Sequence, residues 1–149
     1  MSDPRELYQQ VILEHNKKPR NYGKLEPCSH QAHGLNPLCG DDIEVTLNIL
    51  DGAIAEIKFC GHGCAISQAS ASLMTTNVKG KGADAADAMA AQFRAMVRGD
   101  LDPSKDENVL GKLALFQGVK DLPSRVKCAV LPWATLQSAL KGENITSTE

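Results

Sequence analysis

Residues 43–59 read IEVTLNILDGAIAEIKF, and this stretch decides the fold that the sequence predicts. Over residues 43–49 every second residue is apolar, which is the pattern of a strand with one buried face. Asp51 and Gly52 follow, and this dipeptide favours a type I′ hairpin turn because both central residues need positive φ. A return strand is therefore expected over residues 53–59.

Helical periodicity is found on both sides of this hairpin. Apolar residues recur at helical spacing in four segments, residues 4–18, 65–78, 83–98 and 108–117. A last helix is expected to begin near Cys128, because Pro132 is tolerated in a helix only within the first turn. Residues 20–42 are rich in Gly, Pro, Asn and His, and are predicted to form a loop with one short edge strand near 30–35.

The order of helix, hairpin and then further helices predicts an α+β fold. We expect a small antiparallel sheet of about three strands, packed against several helices. The 149 residues fit a single domain, 1–149. The polar residues 142–149 are expected to be a disordered tail.

Charge and hydropathy exclude several classes of function. Sixteen basic and eighteen acidic residues give a net charge of -2, without the cationic surplus that nucleic-acid binding requires. No apolar run has the length of a membrane span, and the first residues lack the pattern of a signal peptide. We therefore expect a cytoplasmic protein whose five cysteines stay reduced. An odd count also does not suit a disulfide framework.

Three of the cysteines lie at the predicted ends of elements. Cys39 and Asp41 flank a glycine at a loop-to-strand junction, Cys64 opens a helix, and Cys128 begins the last one. Helix N-termini and nearby cations favour thiolates, which bind metals and attack sulfur. Three thiolates and one carboxylate suit a tetrahedral Zn²⁺ site, although buried core cysteines would give the same spacing.

Other residues near these cysteines leave alternatives open. A zinc site of three thiolates and a carboxylate carries a net charge of about -2, which Arg125 and Lys127 could offset. A plain solvated-surface role explains these two cations equally well. His62 competes with the carboxylate for the fourth ligand position, because histidine is a commoner zinc ligand. Packing is favoured for Cys60, and Cys28 has no evident partner in the sequence.

The segments around these cysteines carry a family resemblance. They read LYQQVILEH at 7–15, KPRN at 18–21, NPLCGD at 36–41, GCAISQASAS at 63–72 and RVKCA at 125–129. Together they resemble the SufU family of iron–sulfur cluster biogenesis proteins, over a core of residues 5–141. The related IscU scaffolds have a histidine where this chain has Lys127. They also lack an insertion that corresponds here to residues 80–103.

The resemblance implies a SufE/IscU-like domain in which Cys39, Asp41, Cys64 and Cys128 bind zinc. It implies a zinc-dependent sulfurtransferase whose partner is a SufS-type, pyridoxal-phosphate-dependent cysteine desulfurase. Cys39 would accept persulfide sulfur for transfer to downstream iron–sulfur assembly proteins. The alternative is a scaffold that builds a [2Fe–2S] cluster, or binds iron, with the same four ligands. A structural zinc module is a third hypothesis.

Overall fold

A four-stranded sheet forms one layer of the computed structural model, which describes residues 4–37 and 40–147. Its strands are β1 (His30–Asn36), β2 (Asp41–Leu50), β3 (Ala53–His62) and β4 (Ile145–Ser147). They lie in the order β3-β2-β1-β4. The strands β1, β2 and β3 are antiparallel, which confirms the predicted three-stranded antiparallel sheet, and β4 pairs parallel with β1.

The predicted hairpin is the β2–β3 pair. Asp51 and Gly52 both have positive φ, 55° and 80°, as a type I′ turn requires. Along β2, side chains alternate between a helix-covered inner face and an outer face. Asp41 is therefore buried on the inner face, with 2% exposure. Its neighbour Asp42 points to the outer face with 40% of its side chain exposed.

Helices cover the inner face of the sheet. They are α1 (Pro4–Lys17), α2 (Ala65–Val78), α3 (Ala83–Arg98), a 3₁₀ helix (Gly111–Asp121) and α4 (Pro123–Leu140). The bounds of α2 and α3 are those predicted. In the core, Trp133 of α4 stacks on Phe93 of α3, with ring centroids 4.9 Å apart. Phe116 of the 3₁₀ helix meets Phe93 edge-on, so one aromatic cluster joins three helices.

The last helix differs from its prediction. It begins at Pro123, five residues before Cys128, so Cys128 lies in its second turn. Pro132 consequently lies in the helix interior, where it cannot donate an N–H to the carbonyl four residues earlier. The helix tolerates this because nearly every residue after Lys127 is buried against the sheet and the other helices. Tertiary packing outweighs the local cost of the proline.

Two other segments also depart from expectation. The helix predicted over 108–117 is a 3₁₀ helix that begins at Gly111, because the Asn108 side chain accepts the N–H of Leu110 in a turn. The tail is not disordered throughout, since Ile145–Ser147 form β4 along the otherwise open edge of β1. Residues 80–103 contain α3, and their status as an insertion stays a prediction.

None of the helices within the described ranges combines the length and the apolar character that crossing a bilayer requires.

Candidate metal centre

Three potential metal-binding side chains converge where the sheet meets α2 and α4. They are Asp41, Cys64 and Cys128, and one donor atom from each lies within 4.8 Å of the others. Asp41 is the first residue of β2, Cys64 precedes α2 and Cys128 lies in α4. The fold thus brings together three of the four predicted ligands from distant parts of the chain.

The carboxylate of Asp41 is fixed by three hydrogen-bond donors. The backbone N–H of Cys64 donates to Oδ1 at 2.8 Å, and the Ser67 hydroxyl donates to the same oxygen at 3.2 Å. The Asn36 amide donates to Oδ2 at 3.2 Å. Such donors stabilise a buried anion, and they hold the carboxylate in one orientation toward the two thiols.

The second donor group, Cys64, caps the N-terminus of α2. Its Sγ accepts the backbone N–H of Ser67 at 3.4 Å, as an N-cap side chain does. The helix dipole favours negative charge at this position. Gly63 precedes it in close contact with the site, because a Cβ there would lie 2.7 Å from Asp41 Oδ1.

Asn36 connects the carboxylate to the third donor group. Its Nδ2 also donates to Sγ of the fully buried Cys128, at 3.6 Å. Its Oδ1 is buried and has no hydrogen-bond partner within the described residues. One amide nitrogen thus orients two donor groups, a positioning role that metal ligands need.

The sequence analysis assigned no role to Asn36 or Ser67. Ser67 follows Cys64 by three residues, which is the spacing of a helix capping pair and a usable signal. Asn36 is a loop-flanking asparagine five residues before Asp41. Only the tertiary fold reveals its contact with Cys128, 92 residues away.

Of the other predicted site residues, Cys39 lies outside the described residues. The exposed His62 pairs across the strands with Asp42, on the outer face, so the structure separates it from the three donor groups. Cys60 is half-buried, and burial together with Glu44 raises the pKa of its thiol. Cys28 lies in the loop before β1 and contacts Gln31.

An apolar groove of about 620 Å³ opens beside Cys64. Arg125 lines it together with Cys64 and with Tyr8 and Ile12 of α1, so one predicted cation does lie near the thiol. Lys127 is half-buried one residue before Cys128. Their charge-balancing role stays a prediction.

The hydroxyl of Tyr8, which lines the same groove, is buried and has no hydrogen-bond partner among the described residues. Burial raises the pKa of this phenol.

Helix α1, which lines one side of the groove, is held against α2 by a hydrogen bond between His15 and Ser72. The Nδ1 of His15 lies 2.6 Å from the hydroxyl of Ser72, which also accepts the backbone N–H of Arg20 at 2.8 Å. His15 is 8% exposed. Burial, followed by the charge of Arg20, lowers the pKa of His15, and Glu14 opposes the shift only in part. The neutral imidazole is therefore the form that the fold prefers.

We expect this histidine to make stability depend on pH. A lowered folded-state pKa means that the unfolded chain takes up the proton first. Stability is then complete above the unfolded value of about 6.5 and falls as pH decreases toward the folded pKa. Urea unfolding between pH 7.5 and 5 should show a smaller decline for His15→Asn, whose amide can replace Nδ1. Equal declines in both proteins would contradict this expectation.

The donor set fits a zinc ion. Zinc bonds of about 2.0–2.3 Å place tetrahedral ligand atoms roughly 3.5 Å apart, so donor atoms within 4.8 Å need only small movements to close. Two thiols and one carboxylate are established zinc ligands, and a fourth position remains for another group. Asn36 and Ser67 already supply the surrounding hydrogen bonds.

Comparisons with known proteins identify the family to which the chain is similar. A family model described as the NifU-like N-terminal domain matches residues 7–129. A protein of Bacillus subtilis named zinc-dependent sulfurtransferase SufU is 45% identical over 139 residues, which cover 92% of this chain and 91% of that protein. An iron–sulfur cluster assembly scaffold protein IscU of Streptococcus pyogenes is 41% identical, over 91% of this chain and 83% of the relative.

Solved structures share the fold. A putative iron–sulfur cluster assembly scaffold protein for the SUF system, from Fervidobacterium islandicum, superposes with a TM-score of 0.83. It is 38% identical, and the match covers 91% of this chain and 97% of that one. A NifU-like N-terminal protein from Brucella abortus gives a TM-score of 0.75 at 26% identity, over 92% and 94% of the two chains. The predicted family resemblance is confirmed.

Proposed function

Because the chain belongs to the NifU-like N-terminal domain family of iron–sulfur cluster assembly proteins, we propose that it is a zinc-dependent sulfur acceptor. It receives persulfide sulfur from a SufS-type cysteine desulfurase in the cytoplasm and passes it to downstream assembly proteins. The observation that carries the proposal is the convergence of Asp41, Cys64 and Cys128 within 4.8 Å.

The proposed zinc ligands are these three residues and Cys39. When bound, zinc would keep the thiols deprotonated at neutral pH. The chain's own residues hold the arrangement, since Asn36 and Ser67 orient the carboxylate and the N-terminus of α2 stabilises charge at Cys64. A ligand set that includes a carboxylate is harder and exchanges more readily than one of four thiolates.

The proposed transfer is a thiol–persulfide exchange. The thiolate of Cys39 attacks the outer sulfur of the desulfurase persulfide, and a new S–S bond forms as the old one breaks. The desulfurase cysteine leaves as a thiolate, so no external oxidant or reductant is needed. The groove beside Cys64 gives the partner an apolar surface at the edge of the donor group.

A second function is a scaffold on which a [2Fe–2S] cluster is built as cargo. It is favoured by the relative from Streptococcus pyogenes, which is named an iron–sulfur cluster assembly scaffold protein. Thiolates and a carboxylate can hold such a cluster. Lys127 stands where the IscU pattern has a potential histidine ligand, and this favours the sulfur-acceptor function.

One set of measurements separates these functions. The purified chain is assayed for zinc and iron, and desulfurase turnover is measured with and without it. We expect about one zinc per chain, strong stimulation of turnover, and loss of stimulation in Cys39→Ala but not in the matched variant Cys28→Ala. A zinc-loaded chain that does not stimulate refutes sulfur acceptance. A coloured, iron-loaded product that needs no zinc identifies the scaffold.

A further inference from the structure

The outer face of the sheet gathers ionisable residues that the inner donor group does not use. They are His33 of β1, Asp42 and Glu44 of β2, and Cys60 and His62 of β3. We propose that His33, Asp42 and His62 form a second, more weakly binding site for a divalent ion of the zinc class. The proposal is independent of the sulfur-acceptor function, because it rests on a different face and different residues.

The first step is the contact between His33 and Asp42. Nε2 of the imidazole lies directly against Oδ1 of the carboxylate, across the β1–β2 pairing. Both side chains remain accessible, with 45% and 40% of their surfaces exposed. An imidazole nitrogen and a carboxylate oxygen that already face each other can both coordinate one divalent ion.

The second step is the position of His62. It is the direct cross-strand partner of Asp42, so the two Cβ atoms lie on one face about 5 Å apart. Among the described residues, only the inner group already has three donor atoms within 4.8 Å. In the outer group, His33 and Asp42 are in contact, and the third donor joins them when the exposed His62 imidazole rotates toward Asp42. Surface side chains make such a movement within nanoseconds.

The neighbouring side chains define the chemistry of this site. Glu44 is engaged by Lys24, at 3.5 Å, and by the thiol of Cys60, at 3.8 Å. Burial and Glu44 raise the pKa of Cys60, which keeps that thiol protonated. Two imidazoles and one carboxylate remain, with the fourth position open to water. This set suits Zn²⁺, Cu²⁺ and Ni²⁺ better than Mg²⁺ or Ca²⁺.

The outer site lies back to back with the inner one. Asp41 and Asp42 are consecutive in β2 and point to opposite faces, and His62 is two residues before Cys64. An ion on the outer face would link β2 to β3 at the ends of these strands that lie next to Asp41 and Cys64. Binding there would therefore stabilise the strands on which the inner donor group depends.

The test is a zinc titration of the untagged chain, already loaded with one equivalent, against a chromophoric chelator. We expect a second, weaker equivalent. The double variant His33→Ala/His62→Ala should weaken it at least about 10-fold and leave the first equivalent unchanged. The matched control is His30→Ala, on the same strand as His33, and it should retain both equivalents. Cys64→Ser/Cys128→Ser should lose the first equivalent and retain the second.

A paramagnetic probe locates the ion independently of affinity. One equivalent of Ni²⁺, which thiolates do not reduce, added to the zinc-loaded chain should shift and broaden the imidazole NMR signals of His33 and His62, and those of His30 less. A wild-type chain that binds only one equivalent overturns the proposal. So does a double variant that retains the second equivalent at unchanged affinity, because the ion then binds elsewhere.

Discussion

Asp41→Asn should weaken zinc binding by at least about 100-fold while the chain stays folded. The substitution removes the negative charge and leaves the shape of the side chain unchanged. Its oxygen can still accept the N–H of Cys64 and the hydroxyl of Ser67. The new amide would face Asn36 Nδ2, but Asn36 can rotate its amide and present the Oδ1 that now lacks a partner among the described residues.

Zinc content after dialysis and competition with a chelator measure the loss, and circular dichroism verifies the fold. The matched control is Asp51→Asn, which makes the same change in the hairpin turn. An Asn–Gly turn suits the positive φ of 55° at this position, so the control should retain zinc and stability. If Asp41→Asn binds zinc as tightly as the wild type, the carboxylate is not a ligand.

Local sequence signals predict the hairpin and two helices because their causes lie within each segment. Alternating apolar residues and the Asp51–Gly52 dipeptide determine the β2–β3 hairpin, and the positive φ values follow from it. Glycines at 80, 82 and 99 bound the α3 pattern in the same way. These elements can be predicted from their own segments without reference to the rest of the chain.

The errors arise where tertiary contacts outweigh local preference. Pro132 predicts a helix start within one turn, yet burial of α4 on most sides stabilises the longer helix despite the missing hydrogen bond. Residues 142–149 are polar and predict disorder, but the open edge of β1 provides backbone partners for 145–147. Neither the burial of α4 nor the pairing of residues 145–147 with β1 can be inferred from the sequence of the segment concerned.

The sequence predicts the candidate ligands, whereas the residues that support them emerge only from the fold. The family resemblance implies Cys39, Asp41, Cys64 and Cys128, and the fold brings the last three together, although their role as ligands stays a prediction. The role of Asn36 depends on a contact that only the folded chain makes. The pairing of His62 in β3 with Asp42 in β2 also places His62 on the outer face, away from the inner group, although the sequence places it only two residues from Cys64.

Gly63→Ala should disrupt both the apo fold near the site and zinc binding. A Cβ at this position would lie 2.7 Å from Asp41 Oδ1 and still closer to Ser67 Oγ, so one of the two side chains must move. Overpacking of this kind costs about 1–3 kcal/mol of unfolding free energy. Displacement of the carboxylate should also lower zinc affinity, because the three donor groups no longer close on one point.

The matched control is Gly82→Ala, where the nearest heavy atom to an added Cβ is Gly52 O at 3.9 Å. Gly82 is the N-cap of α3 and has a φ of -62°, so alanine should cost only about 1 kcal/mol there and leave zinc binding unchanged. The variant Gly63→Ala/Ser67→Ala removes the closer clash and should be less destabilised than the sum of its single changes. Strict additivity, together with wild-type zinc affinity in Gly63→Ala, would mean that Gly63 does not set the distance between the turn and the carboxylate. The positioning of Asp41 would then depend on its three hydrogen-bond donors, which are Asn36, Ser67 and the Cys64 N–H.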